Sequence, residues 1–231
     1  MMFRRKISNL TIFKKTVKLS AVVFLFGLII FVIFEPAIMN ASTNTNTITL
    51  TANVSQEVTI SSPGNTSFSG SIPGVSGNPG LPVTASSTWK VITNNPTGFI
   101  MTLNSSQSPA LYLDGNYYFN DYGTSPGTPV YGWSVPTVND ARFGFTVEPA
   151  TTGDIASTFL SSGSACGSGS YNADACWAGF NGTTPVTIIN RHTLTDANGQ
   201  SEVVKFNAES NARLLETGNY TATITATASL Q

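Results

Sequence analysis

Apolar and polar residues alternate one by one over the end of the chain. From Tyr220 onward, Tyr220, Ala222, Ile224 and Ala226 fall on one side and Thr221, Thr223, Thr225 and Thr227 on the other. A period of two is what a strand needs to lay one face on a core and the other towards water. β-Branched threonine suits such a pleated, half-wet surface, and Gly218 marks the turn into it. The same alternation runs over residues 47–54, where Ile48, Leu50, Ala52 and Val54 share a face; Val58 and Ile60 extend it. A first strand is predicted there.

Residues 88–93 and 99–103 flank Asn94-Asn95-Pro96-Thr97-Gly98 and read as an antiparallel hairpin with a five-residue, glycine-containing connection. Trp89, Val91, Phe99, Met101 and Leu103 form its core-facing set. Further strands are predicted over 141–147, 185–190 and 202–208. Only 154–160 has helical character, one or two turns with Asp154 as N-cap. Residues 61–82 are rich in Gly, Pro and Ser and predict a long loop, pinned to the body by Phe68, Ile72 and Val75. Short strands without α/β alternation predict an all-β fold: one antiparallel β-sandwich domain over residues 42–231 with one short helix.

The first 41 residues follow a different rule. Arg4, Arg5, Lys6, Lys14, Lys15 and Lys18 precede an unbroken apolar run from Ala21 to Phe34, closed by Glu35 and Pro36. A basic flank and an apolar stretch of this length match a secretory signal, with cleavage near Ala41. If it is retained, the same segment is an N-terminal membrane anchor helix. Either way the basic flank stays inside and the remainder is expected to be extracellular or at the cell surface.

Setting that segment aside changes the charge. After Ala41 there are five basic and eleven acidic side chains, a net charge of −6, against −1 for the whole chain. No basic patch remains to hold phosphates, which argues against nucleic acid as a partner. Charged residues make up 10% of the chain, so Ser, Thr and Asn must do much of the solvation.

Two phrases carry a resemblance: Ser87-Thr88-Trp89-Lys90-Val91-Ile92-Thr93-Asn94-Asn95-Pro96-Thr97-Gly98-Phe99, and Leu215-Glu216-Thr217-Gly218-Asn219-Tyr220-Thr221-Ala222-Thr223-Ile224. Both resemble segments of exported bacterial surface β-proteins, of the WxL cell-wall type and of spore-coat or pilin-like sandwiches. The resemblance covers about a tenth of the chain. It implies a surface-held β-sandwich and, for a WxL protein, attachment to peptidoglycan. A WxL protein carries Trp in its final strand, where this chain has Ala226.

Candidate chemistry is sparse. Cys166 and Cys176 are the two cysteines, and in an exported chain they predict a disulfide. His192 is the single histidine. It follows a strand, has Asp196 nearby, and has no G-x-S-x-G nucleophile elbow to serve. No metal-ligand set or cofactor motif is present. Asp196-Ala197-Asn198-Gly199 departs from the EF-hand spacing and predicts an Asn-Gly hairpin turn joining the strands around Ile188 and Val204.

The strongest binding hint is aromatic. Tyr117, Tyr118, Tyr122, Tyr131 and Trp133, interleaved with Asn and Asp, could stack on sugars or anchor a partner. Their alternative use is to fill the core and cover loops. The expected function is a non-enzymatic, secreted or cell-surface structural or adhesive protein, whose partners are cell-wall or surface polymers or other surface proteins. A glycan-binding module is the alternative. Assembly has two forms: a monomer, which is favoured, or a polymer in which residues 47–54 complete a neighbour's sheet by strand donation.

Overall fold

The computed structural model describes residues 48–231. The predicted export or anchor helix, the lead that follows it and Thr47 lie outside the described residues. In chain order the strands are β1 (Val58–Ile60), β2 (Val83–Thr93), β3 (Phe99–Ser105), β4 (Leu111–Tyr112), β5 (Tyr118–Asp121) and β6 (Val130–Tyr131). They continue with β7 (Asp140–Glu148), β8 (Cys176–Trp177), β9 (Val186–Arg191), β10 (Gln200–Asn211) and β11 (Ile224–Leu230).

The fold is all-β. One sheet runs β1-β2-β10-β7-β5-β4, a second β11-β3-β9, and β6 pairs with β8. Pairing is antiparallel except between β5 and β7, which run parallel through Asn120–Arg142 and Asp121–Phe143. The two larger sheets share one core. Val91, Phe143, Phe145, Val204 and Phe206 enter from the first, and Phe99, Met101, Leu103 and Ile188 from the second. Phenylalanines knit it: Phe145 lies 4.6 Å from Phe180, and Phe143 lies 6.1 Å from Phe206. A register shift at Met101/Thr102 interrupts the pairing of β3 with β9. Such a bulge lets two consecutive residues, Ile188 and Ile189, both be buried.

The core-facing set Trp89, Val91, Phe99, Met101 and Leu103 is buried as the alternation predicts, but the hairpin is not there. β2 belongs to the larger sheet and β3 to the smaller, so residues 94–98 carry the chain across the core from one sheet to the other. Asn95 makes this crossing possible. It is fully buried, donates from Nδ2 to the Gly98 carbonyl at 2.8 Å, and accepts from Thr97 Oγ1 at 3.0 Å. Gly98 has φ +85°, and a Cβ there would lie 1.9 Å from the Arg191 carbonyl oxygen. Only glycine fits.

The Asn198-Gly199 turn also crosses sheets, because it joins β9 to β10. Gly199 N donates to Asp196 O at 3.1 Å, and Asn198 N to Asp196 Oδ1 at 2.8 Å, so the turn is as predicted and the hairpin is not. In place of the helix over 154–160 there are two 3₁₀ turns, Thr152–Asp154 and Ser157–Phe159. Asp154 closes the first of these and its carboxylate pairs with Arg191 instead of capping.

Residues 53–231 form one compact unit. Residues 48–57 carry no strand, contrary to the alternation, and Ile48, Leu50 and Val54 are 80%, 87% and 82% exposed. Alternation makes a segment competent to be a strand but supplies no partner edge. In the 61–82 loop, Phe68 and Ile72 pack against the core, whereas Val75 is exposed. The loop is tied down by Ser69 N donating to Thr84 O and by Asn78, whose Oδ1 accepts from Ser210 N at 2.8 Å.

Candidate functional site

The final strand follows its alternation faithfully. Threonines 221, 223, 225 and 227 are exposed, and Tyr220, Ala222, Ile224, Ala226 and Ala228 turn towards the core. Yet those inward side chains are only half-buried, unlike their counterparts on β3. The reason lies in the strand order. β11 ends the smaller sheet, β1 ends the larger, and β1 is three residues long. It pairs with β2 only over Val91–Thr93. Beyond it, towards Val83, the space between the sheets is open.

That opening is a groove of about 1130 Å³. Val83, Ala85, Ser87 and Trp89 of β2 form one wall, with Phe143 and Phe206 at its base. The other wall is the stretch from Leu215 to Ile224, and the loop from Ser62 to Val75 forms the rim. Phe68 from that rim stands edge-on to Phe143 at 6.2 Å. Glu216 is the only Asp, Glu, Lys, Arg or His among the lining residues, and it is exposed. The groove is therefore a trough with an apolar floor, backbone edges and a rim of Ser, Thr and Asn side chains.

The β2 edge has a specific opening. Lys90 N donates to Ser61 Oγ at 3.0 Å, and Thr84 N to Ser69 Oγ at 3.1 Å, on the side away from β10. In an antiparallel strand alternate residues present N–H and C=O to the same neighbour. Ser86 and Thr88 therefore face that side as well, and among the described residues no strand or loop hydrogen-bonds them there.

The five aromatic candidates do not gather into one platform. Tyr122 is 1% exposed; its hydroxyl donates to Gly132 O at 2.7 Å and accepts from Ser134 N at 2.8 Å. Trp133 stacks on it at 4.3 Å, meets Trp177 edge-on at 5.2 Å, and donates its indole N–H to Glu209 Oε2 at 2.6 Å. This cluster covers the outer face of the larger sheet. It can sit so close because position 144 is glycine: a Cβ there would lie 2.6 Å from Tyr122 Cβ and 2.8 Å from Ala178 O. Tyr117 and Tyr118 lie at the β4–β5 turn, where Arg213 stands 4.5 Å over the Tyr118 ring. Tyr131, on β6, is 43% exposed.

Two buried carboxylates escaped the sequence reading. Glu209 is fully buried and takes up both Trp133 and the Gly80 amide. Glu202 is fully buried on the inner face of β10; Oε2 accepts from Ala150 N at 3.0 Å and Oε1 has no partner among the described residues. Burial pushes its carboxyl up to about 7; Asp154 adds to the rise, while the Ala150 amide and Arg191 oppose it. The signal was present in the alternation, since Glu202, Val204, Phe206 and Ala208 fall on one face of β10.

Cys166 and Cys176 form the predicted disulfide, Cα to Cα 6.0 Å, closing the loop beside β8. Lys205 Nζ braces the same loop, 3.2 Å from Asp174 and 3.1 Å from Glu148. His192 directly follows β9 and is exposed. Among the described residues no group of three or more His, Cys, Asp or Glu is placed to hold a metal ion. Comparison with protein-family models, with curated proteins and with solved structures yields no match.

Proposed function

We propose that this chain is a non-enzymatic, exported β-sandwich protein of the cell surface, structural or adhesive in role. The observation that carries this reading is the groove: an opening onto the core with an apolar floor, strand edges and a rim of Ser, Thr and Asn. Such a surface recognises extended polypeptide through backbone hydrogen bonds and side-chain pockets. Glu209 under Trp133 and Asp154 against Arg191 are engaged in holding the fold. The basic-then-apolar first 41 residues supply export, and the weak charge with abundant Ser, Thr and Asn suits an exposed β-protein.

The test is topological. An epitope placed in the exposed 163–170 loop should be labelled by antibody on unpermeabilised cells and be removed by added protease. Labelling only after permeabilisation would overturn the reading.

A further inference from the structure

We propose that the groove beside β11 is filled by residues 48–54 of a second copy of this chain, which add the strand that the fold leaves out. The proposal deepens the surface-protein reading and rests on it for the compartment in which copies meet. Three observations converge. The segment has strand alternation, no charge, and Ile48, Leu50 and Val54 exposed. The groove has the complementary need, with half-buried Tyr220, Ala222 and Ile224 on one side and free edge positions at Ser86 and Thr88 on the other. A strand laid between the two sheet edges would put one face on the core and give its backbone to an edge.

The third observation is where the segment is tethered. Asn94 Nδ2 donates to Ser55 O at 2.9 Å, Glu57 N donates to Asn94 Oδ1 at 2.7 Å, and Gln56 Nε2 donates to Asn95 Oδ1 at 2.9 Å. Residues 55–57 are thus held at the β2–β3 crossing. The groove runs along β2 from Trp89 to Val83. Ten residue steps separate Thr93 from Val83, about 33 Å at strand rise. Seven extended residues reach at most about 25 Å, so the segment of the same chain falls short of the far end of the groove. A chain folding back on itself would also meet β1 already on the β2 edge, and would bring the polar Ser42–Asn46 stretch, not the apolar residues, to the far end of the groove. Donation to another copy has no such conflict. The donor end and the acceptor groove are different surfaces, so the contact is head-to-tail and propagates into a filament or closes as a ring.

The experiment uses the full chain in detergent. Leu50→Cys is made in ¹⁵N-labelled protein, and Ala85→Cys and Ala222→Cys singly in unlabelled protein; labelled and unlabelled forms are mixed, oxidised and mapped by mass spectrometry. The expected result is a link from position 50 to position 85 or 222 that joins labelled to unlabelled peptide, with the Cys166–Cys176 bridge retained. In a double variant, a link confined to one chain would overturn the proposal, as would no link at either groove position. Leu50→Asp should abolish the oligomer seen by light scattering and still unfold in one cooperative transition, at a midpoint that no longer depends on protein concentration, because Leu50 is exposed in its own domain. A variant that no longer unfolds cooperatively would place the segment in its own core and also overturn the idea. Surface labelling of Leu50→Asp cells separates the two readings. Labelled cells with no intermolecular link in the cysteine variants defeat strand donation alone, and unlabelled cells defeat the surface assignment.

Discussion

Glu202 makes a demand on stability that can be worked out from its surroundings. A carboxyl that titrates near 4.5 in an unfolded chain is held at about 7 in the fold, chiefly by burial. Between those values the folded chain keeps a proton that the unfolded chain has released. Stability therefore falls as pH rises from about 4.5 through 7 and is level above that, where both states are ionised. At about 1.36 kcal/mol per pH unit, the full loss is about 3 kcal/mol. Glu202→Gln removes the titration while the side-chain oxygen can still accept from Ala150 N. Urea unfolding of residues 42–231 at pH 4, 5.5, 7 and 8.5 measures the effect. Asp121, whose carboxyl is also raised by burial, contributes a slope of the same sign to both proteins, so the difference between variant and wild type isolates Glu202. The variant should gain on the wild type by about 3 kcal/mol between pH 4 and pH 8.5. Parallel pH profiles would refute the reasoning, and a variant that loses ground at high pH would invert it.

Two further outcomes follow from the packing. Trp133→Ala should cost about 3 kcal/mol or more, because it removes a ring stacked on Tyr122 and strands the buried Glu209 oxygen it serves; chemical denaturation reads this, and an unaltered midpoint would mean that Trp133 is free for a ligand. Replacing Cys166 and Cys176 together by serine should cost about 3 kcal/mol or slightly less, the loop-closure contribution of a span of this length; alkylation of the wild type without prior reduction should leave both cysteines unmodified.

Inward faces were legible because alternation reports them directly, but alternation also marked residues 48–54, where no strand forms, and passed over the short strands β4, β5, β6 and β8. Trp89 and Val91, Phe99 to Leu103, and Tyr220 to Ala228 all point as their period of two dictates. Partner choice was not legible. A five-residue turn such as 94–98 satisfies the same inward faces whether it closes a hairpin or crosses between sheets, and Asn95 buried at its centre decides for the crossing. The packing of the aromatic run was not legible either. Tyr122 is buried and Trp133 stacks on it because Gly144, a residue distant in sequence, lacks a Cβ and gives them room. A glycine inside the alternating strand 141–147 was the available signal for close approach by another segment. The groove had no local signature at all, since it arises from the shortness of β1 and the terminal position of β11.

The measurement closest to the central claim is amide hydrogen exchange on the full chain. Ser86 and Thr88 on the β2 edge, and the β11 amides that point away from β3, have no strand partner among the described residues. If this groove is a docking trough for an extended segment, exchange along at least one of these edges should slow markedly in the wild type relative to Leu50→Asp, while amides inside β10 stay equally protected in both. Equal exchange along both edges in the two proteins would contradict the account.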